Sequence, residues 1–257
     1  MITTYKSSLK IDCNETTFQQ NNKIRENLIQ KNNSSFEIDR IFVCVQDGDR
    51  AIAILKQFGL YFPDTVIVSE SEGTRSQICF LDNRYLAIVW LKDERSRSSS
   101  AINFPARVNW QDSRASPFGV GLSRIRDTLP LSWDDYPVEN LTVDRYIAYS
   151  KQNQRNIIEP SVFFLPDRLK YSKILNRELP KGKRYRQHPL GVKNITDIKI
   201  SVQAGKRRNS EIINWLDRER LLDIDRADAP LMELTFDKWI QGKIFDARPT
   251  LPIVFHY

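Results

Sequence analysis

The stretch Ile38-Asp-Arg-Ile-Phe-Val-Cys-Val45 opens the ordered part of this sequence and decides how the rest is interpreted. It is rich in β-branched and aromatic residues, which predicts a β-strand. Asp47-Gly-Asp49 follows directly and supplies turn and N-cap chemistry. Apolar residues then recur at helical spacing from Ile52 to Leu60, and Gly59 marks the end of the helix. The sequence therefore predicts a strand followed by a helix.

Three further strands follow this helix along the chain. They are predicted at Thr65–Val68, Gln77–Leu81 and Tyr85–Trp90, and the last two form a hairpin. Together with the first strand and the helix, they make a βαβββ unit. We assign residues 37–125 to this first module. Residues 1–36 are polar and rich in Asn and Gln, which predicts an extension outside the core fold.

Residues 188–257 repeat the same pattern. The strand Thr196–Val202 alternates strictly, a helix with apolar residues at helical spacing follows it, and two more strands are predicted at Leu231–Asp237 and Leu251–His256. Residues 126–187 carry much of the proline, several aromatic residues and one short strand, and are predicted to be a long inserted connection. The predicted fold class is α+β, with duplicated βαβββ modules forming a curved, mostly antiparallel sheet around a central cavity.

The composition excludes several classes of protein. Of the 257 residues 40% are hydrophobic, enough for a packed core, and no apolar run approaches the roughly 20 residues that a membrane helix needs. The N-terminus lacks a basic region followed by an apolar stretch, so we expect a cytoplasmic protein with no membrane partner. The three cysteines are widely spaced outside any C-x-x-C pair, and two histidines cannot form a histidine-rich zinc site.

The formal net charge of +7 is accompanied by two dense basic segments. They are Lys181–Arg186 and Lys206–Arg208, and both fall in predicted loops outside any helix-turn-helix or RNP-like motif. Basic surfaces attract phosphate groups, so a basic interaction or nucleic-acid-binding module stays an alternative. Solvated loops, or attraction of a small anionic ligand, explain the same residues, and a nucleic-acid partner is not the favoured interpretation.

Several motifs resemble the glyoxalase-like domain of the vicinal-oxygen-chelate superfamily. They are Ile38–Val45, Gly73–Arg75, Asp82–Trp90, Ser116–Gly119, His188–Gly191 and Leu231–Asp237. The similarity covers residues 37–125 and 186–257. This superfamily contains isomerases, dioxygenases, lyases and binding proteins, so the resemblance implies the fold and a ligand cavity rather than one reaction.

Metal-using members of this superfamily place their ligands on the first and last strands of each module, pointing into the cavity. Side chains alternate between the two faces of a strand, and the face away from the helix supplies the inward positions. In this sequence those positions hold Arg40, Ala87, Asp197 and Pro252. One carboxylate opposite a permanently charged guanidinium cannot hold a divalent cation, so we expect neither a metal ion nor another cofactor.

The same alternation predicts site residues on three strands. Glu233 and Thr235 face away from the core positions of their strand, and Arg40 is expected inside the cavity near Glu233 or Asp197. A buried structural ion pair is one interpretation. The functional interpretation is that Arg40 binds a carboxylate or phosphate group, with Asp197 and Thr235 beside it, while Glu233 accepts or moves a proton.

Two residues outside these strands complete the set of candidates. His188 is the one histidine expected near the cavity, and it is the second catalytic candidate, although a loop histidine bonded to the backbone is the favoured interpretation. Arg75 is placed in a loop at the strand ends, where it is a candidate ligand contact or a solvated side chain.

The favoured hypothesis is a protein that binds a small, anionic metabolite in the cavity between the modules without a metal ion, as a binding protein or as a metal-independent enzyme. A metal-dependent isomerase, lyase or dioxygenase is the alternative, with Asp197, Glu233, His188 and His256 as its pool of ligands. The basic interaction module is the second alternative. The identity of the ligand and homodimerisation are left open.

Overall fold

The computed structural model describes residues 34–93, 101–125, 141–144, 147–173, 184–203 and 209–257, with the backbone alone at 141–144. The chain divides into a unit of Met1–Ser34 and a unit of Ser35–Tyr257, and the second unit holds every element whose bounds are given below. The predicted N-terminal extension lies almost wholly outside the described residues. Within those ranges, no helix is long and apolar enough to cross a membrane.

The first sheet begins with the βαβββ unit that the sequence predicts. Its elements are β1 (Phe36–Cys44), α1 (Gly48–Phe58), β2 (Ile67–Ser69), β3 (Thr74–Phe80) and β4 (Tyr85–Leu91). The side chain of Asp47 caps α1 by accepting a hydrogen bond from the Arg50 amide, and Gly59 ends the helix in the left-handed conformation, at φ 103°. β1 pairs parallel with β4, and the strand order is β2-β3-β4-β1.

A second set of strands continues this sheet on the other side of β1. The next elements are α2 (Phe104–Val108), α3 (Trp110–Ser113), β5 (Phe118–Arg124), β6 (Leu141–Asp144), β7 (Ile147–Ser150), α4 (Lys151–Arg155) and β8 (Ser161–Phe164). β5 pairs antiparallel with β1 and parallel with β8. The eight strands have the order β2-β3-β4-β1-β5-β8-β7-β6, in which the second half repeats the arrangement of the first. Residues 126–187, where the sequence indicates one strand, therefore supply three strands to this sheet.

The C-terminal residues form a separate five-stranded sheet. After short 3-10 helices at Asp167–Leu169 and Arg184–Arg186, the elements are β9 (Ile195–Gln203), α5 (Glu211–Arg218), β10 (Asp223–Ala227), β11 (Leu231–Phe236), a third 3-10 helix (Asp237–Trp239), β12 (Ile244–Asp246) and β13 (Ile253–His256). The strand order is β10-β9-β11-β13-β12. The α+β class built on βαβββ organisation is confirmed, with the difference that the strands on the far side of β1 from β4 come from residues 118–164.

One hydrophobic core joins the two sheets through helices α1 and α5. Ile41 and Val43 of β1 pack in this core together with Leu55 of α1. Phe58 of α1 stacks on Phe245 of the five-stranded sheet, with 4.2 Å between ring centroids. Each sheet therefore packs one face against the shared core. A ligand site on either sheet would have to lie on the opposite face.

Candidate functional site

The face of the eight-stranded sheet opposite the shared core is filled with apolar side chains, where the sequence predicts the wall of a cavity. The predicted alternation along β1 is correct, because Phe42 and Cys44 lie on this face while Ile41 and Val43 lie in the shared core. The buried members of the cluster are Phe42, Cys44, Ala87, Val89, Ile102, Phe104, Val108, Tyr149, Phe163 and Leu165. We call these residues the aromatic cluster. They form packed core on the side where a polar hollow was expected.

The packing of the aromatic cluster depends on Gly119 of β5. The ring of Phe42 lies over this glycine so closely that a Cβ atom there would stand 2.0 Å from Cε1 of Phe42, so a larger residue cannot fit without displacing the ring. Arg40 and Ala87 occupy two positions at which the resemblance implies metal ligands. Neither side chain offers an atom that binds a divalent cation, so this face does not fit a metal ion.

Arg107 of α2 anchors the helix that covers the aromatic cluster. Its side chain is 2% exposed. Nε donates to the carbonyl oxygen of Ile102 at 2.9 Å, and Nη1 donates to the carbonyl oxygens of Ser116 at 2.7 Å and Glu159 at 2.9 Å. Burial lowers the pKa of Arg107 to about 10, so the guanidinium is still charged at neutral pH. A buried cation held by three backbone carbonyls fixes α2 in place.

Arg40 has partners other than those the sequence predicts. Its Nε lies 2.8 Å from the carboxylate of Asp39, its Nη2 donates to the carbonyl oxygen of Leu169, and its guanidinium lies 4.8 Å from the ring centre of Tyr85. The sequence predicts Arg40 near Glu233 or Asp197, but Arg40 is on β1 of the eight-stranded sheet, whereas both acidic residues are on strands of the five-stranded sheet. A hydrogen-bonded guanidinium packed on an aromatic ring stabilises the pairing of β1 with β4 in the middle of the sheet.

His188 and Arg75 do not join the other candidates. The Nδ1 atom of His188 accepts a hydrogen bond from the Tyr61 amide at 3.0 Å, and its Nε2 lies 3.0 Å from the carbonyl oxygen of Phe80. Burial lowers the pKa of His188, which favours the neutral ring that these two contacts require. Arg75 is an exposed residue within β3, where the sequence predicts a loop. The geometry favours a structural role for His188.

The outward face of the five-stranded sheet carries a connected set of charged side chains, Lys199, Asp225, Glu233 and His256, which we call the Glu233 cluster. One carboxylate oxygen of Glu233 lies 3.0 Å from Nε2 of His256, and the other lies 3.3 Å from Nζ of Lys199. Lys199 also lies 3.6 Å from a carboxylate oxygen of Asp225. The side chains of His256, Glu233 and Lys199 are 20%, 29% and 43% exposed, so a solute can reach them.

The electrostatics of the cluster favour the charged forms of Glu233 and Lys199. Partial burial acts to raise the pKa of Glu233, but hydrogen bonds from His256 and Lys199 outweigh it and hold that pKa below its ordinary value. The hydrogen bond with Glu233 raises the pKa of Lys199. An imidazole beside a carboxylate can accept and return a proton, and the ammonium group nearby stabilises negative charge on a ligand.

Two more of the predicted ligand-binding residues lie on this same face. Thr235 of β11 and Asp197 of β9 are directly opposite each other in the antiparallel pair, next to the pair formed by Glu233 and Lys199. The structure thus brings together Glu233, Thr235 and Asp197, with Lys199 as a neighbour that the sequence did not single out. Opposite residues stand about 5 Å apart and the two pairs are about 7 Å apart along the strands, so one small ligand can touch both pairs.

His256 is the candidate residue that sequence reasoning underrated, because it enters the predictions only as a metal-ligand candidate. Ile253 and Phe255 of β13 pack in the shared core, so His256 takes the outward face. The alternation along β13 could have indicated this. The parallel pairing of β13 with β11, which sets His256 opposite Thr235 and beside Glu233, is a tertiary feature that no local pattern predicts.

A strained turn flanks His256. Asp237, Lys238 and Trp239 are three consecutive non-glycine residues with φ angles of 46°, 59° and 59°. The left-handed conformation costs roughly 1–2 kcal/mol for each such residue. The carboxylate of Asp237 holds the turn by accepting hydrogen bonds from the backbone amides of Lys193 and Asn194. The turn sets the indole of Trp239 edge-on against the ring of His256, 5.5 Å between centroids, and strain of this kind is found at functional sites.

A groove of about 360 Å³ opens at one end of the same face. Its lining residues are Trp110, Gln111, Ala227, Ala229, Pro230, Leu231, Arg248, Pro249 and Pro252. Leu231 lies two residues before Glu233 on β11, so both positions share one face of the strand. The hydrogen bond from Arg248 to Asp246 is the main cause that raises the pKa of Arg248, and the negative charge of Glu233 adds to it. The volume and the apolar lining are typical of a small-molecule site.

The two basic segments contribute little to the described structure. Residues 181–183 and 206–208 lie outside the described residues. Arg186 pairs with Asp82 at 2.7 Å, and the guanidinium of Arg184 lies 5.8 Å from the ring centre of Tyr185. The nucleic-acid alternative therefore gains no support from the two arginines whose contacts are described.

Comparison with known proteins supports the fold alone. No family model matches the chain, and no curated protein matches it. A hypothetical protein from Staphylococcus aureus has a similar structure, with a TM-score of 0.50, 12% identity, and coverage of 86% of this chain and 98% of that chain. Lower similarities include methylmalonyl-CoA epimerase from Mycobacterium tuberculosis, with a TM-score of 0.33, 11% identity, and coverage of 52% of this chain and 90% of that chain.

A triple mutant of 4-hydroxymandelate synthase from Streptomyces coelicolor is similar at a TM-score of 0.41 and 10% identity, over 85% of this chain and 61% of that chain. Identities this low do not carry an activity from one protein to another. The βαβββ strand order of β1 to β4 agrees with the fold that the resemblance to the vicinal-oxygen-chelate superfamily implies. Its glyoxalase-like branch is a finer assignment that these similarities do not decide.

Proposed function

We propose that this chain is a glyoxalase-like protein of the cytoplasm that binds a small metabolite on the outward face of its five-stranded sheet, without a metal ion. The observation that carries the proposal is the Glu233 cluster, in which a carboxylate, an imidazole and an ammonium group meet at 3.0 and 3.3 Å beside a groove. Charged groups that converge next to an apolar groove are typical of ligand sites.

The roles of the residues follow from their contacts. Lys199 supplies a cation for an anionic group of the ligand, and Thr235 supplies a hydroxyl beside Glu233. The pair of Glu233 and His256 can take up a proton from the ligand and give it back, which would make the protein a metal-independent enzyme rather than a binding protein. Asp197 stands on the same face, two register positions from Lys199 and directly opposite Thr235.

The chemistry of the cluster argues against the metal-dependent alternative. Glu233 and His256 are two ligand residues in direct contact, whereas a catalytic zinc site uses three protein ligands. The ammonium group of Lys199 lies 3.3 Å from Glu233 and repels a cation placed there. Within the described ranges, no group of three or more His, Cys, Asp or Glu side chains is placed to hold a metal ion.

The proposal is tested by screening metabolites against the full chain by thermal shift and measuring the strongest one by calorimetry, with and without EDTA. Replacing Glu233→Gln or Lys199→Met should weaken binding about tenfold or more, because each change removes a charge-assisted hydrogen bond or an ion pair. Lys56→Met is the matched control, since Lys56 is also 43% exposed and paired with an aspartate. Equal binding by all three variants, or binding lost in EDTA and restored by a metal, would contradict the proposal.

A further inference from the structure

We infer that the groove beside the Glu233 cluster takes a compact apolar carboxylate, whose hydrocarbon body packs among Trp110, Leu231 and the prolines while its carboxylate binds Arg248. This inference rests on the proposed function, since the groove opens on the same face of the five-stranded sheet. It adds the chemical class of the ligand and a second set of residues that select it.

The lining of the groove selects an apolar body. Pro230, Pro249 and Pro252 present rigid rings that lose little conformational entropy when a ligand packs on them. Trp110 comes from α3, beside the eight-stranded sheet, so two distant parts of the chain close around the space. A groove of about 360 Å³ is at the small end of the range for small-molecule sites, which favours a single ring or a short branched chain.

Arg248 selects the charge of the ligand. It is the one charged side chain in the groove lining of the described residues, and it is 54% exposed. Its Nε and Nη2 atoms hold the carboxylate of Asp246, at 2.9 and 2.5 Å, which fixes the plane of the guanidinium. No described residue takes a hydrogen bond from Nη1, so donors remain for a ligand carboxylate.

The alternative head groups fit this arrangement less well. An ammonium group in the groove would meet the guanidinium of Arg248, and the carboxylate of Asp246 is already engaged by that guanidinium. A neutral amide keeps the apolar contacts but loses the charge-assisted hydrogen bond, which contributes about twice as much as a neutral one. A carboxylate on an apolar body is therefore the class of ligand that can contact both the apolar lining residues and Arg248.

The test uses a series of probes that share one body and differ in the head group. Cyclohexanecarboxylate, cyclohexanecarboxamide and cyclohexylmethylamine are measured against the full chain by saturation-transfer NMR and calorimetry, with acetate as the probe that lacks the body. We expect the carboxylate to bind about tenfold or more tightly than the amide, and acetate and the amine not to bind. Equal affinity for the three cyclohexyl probes, or binding of acetate as tight as that of the ring carboxylate, would overturn the inference.

Variants of exposed residues separate this inference from the proposed function. Arg248→Gln should weaken binding of cyclohexanecarboxylate about tenfold and leave the amide unchanged, whereas Arg155→Gln, an exposed arginine on α4, should change neither. Metabolite binding that depends on Lys199 and Glu233 but not on Arg248 would refute the carboxylate groove and leave the proposed function standing. Binding that depends on none of these residues would refute both.

Discussion

Replacing Arg107 with alanine is expected to lower the free energy of unfolding by about 4 kcal/mol, because a buried charged donor that serves three backbone carbonyls is lost. The variant leaves the carbonyl oxygens of Ile102, Ser116 and Glu159 without this donor in the interior. It also leaves a space the size of the guanidinium under α2. No single side chain elsewhere on α2 serves as many described backbone partners.

The measurement is urea unfolding of the full chain at neutral pH, followed by circular dichroism. Arg107→Lys should fall between wild type and alanine, since an ammonium keeps the charge but cannot reproduce the fork of guanidinium donors. Arg155→Ala, at the exposed end of α4, should change the free energy of unfolding by less than about 0.5 kcal/mol. A loss below about 1 kcal/mol for Arg107→Ala would mean that α2 does not depend on this anchor.

Phe42→Ala is expected to have an effect of similar size, again about 4 kcal/mol of the free energy of unfolding, as for other large-to-small changes in a packed core. Phe42 is buried, packs on Phe104 and Phe163 at centroid distances of 5.6 and 6.3 Å, and covers Gly119. An open ligand cavity on this face would tolerate the truncation, because the side chain would have few contacts to lose. The size of the loss in the free energy of unfolding therefore distinguishes a packed core from an open ligand pocket on this face.

Chemical denaturation measures this effect, and Phe42→Leu should retain most of the stability because the site keeps an apolar side chain. Val66→Ala is the surface control, since Val66 is an exposed valine of the same sheet region. A loss for Phe42→Ala no larger than that for Val66→Ala would contradict the packed aromatic cluster and restore the cavity that the sequence predicts.

Local patterns predicted the strands and helices far better than the partners they meet. The alternation along β1 placed Ile41 and Val43 in the core and Phe42 on the opposite face, as observed, because side-chain parity is a local property of a strand. The same alternation says nothing about what covers that face. The cover is α2 and its buried Arg107, from a polar stretch that looks like a loop in the sequence.

Sheet pairing accounts for the remaining differences. β6 and β7 are four residues each and lack the run of apolar residues that marks β8, so residues 126–187 look like a connection although they complete the eight-stranded sheet. We propose residues 118–164 as the module that pairs with the first. Arg40 and Glu233, expected to meet across one cavity, are in different sheets for this reason.

The candidate site combines a predicted half and an unpredicted half. Glu233, Thr235 and Asp197 were expected to share a polar face, and strand parity alone places them there. Strand parity also turns Lys199 to this face, although it was not chosen as a site residue. His256 joins them through the pairing of β11 with β13, and Trp110 reaches the groove from α3. These contacts between distant segments depend on how the two sheets pack, which a single sequence does not reveal.

The most direct test of the central claim is an amide chemical-shift titration of the full chain with the strongest ligand from the metabolite screen. Binding on the outward face of the five-stranded sheet predicts the largest shifts at Lys199, Leu231, Glu233 and His256, with the aromatic cluster unaffected. Shifts centred instead on Phe42, Ala87 and their neighbours would contradict the account, because they would place the ligand where the structure has packed core.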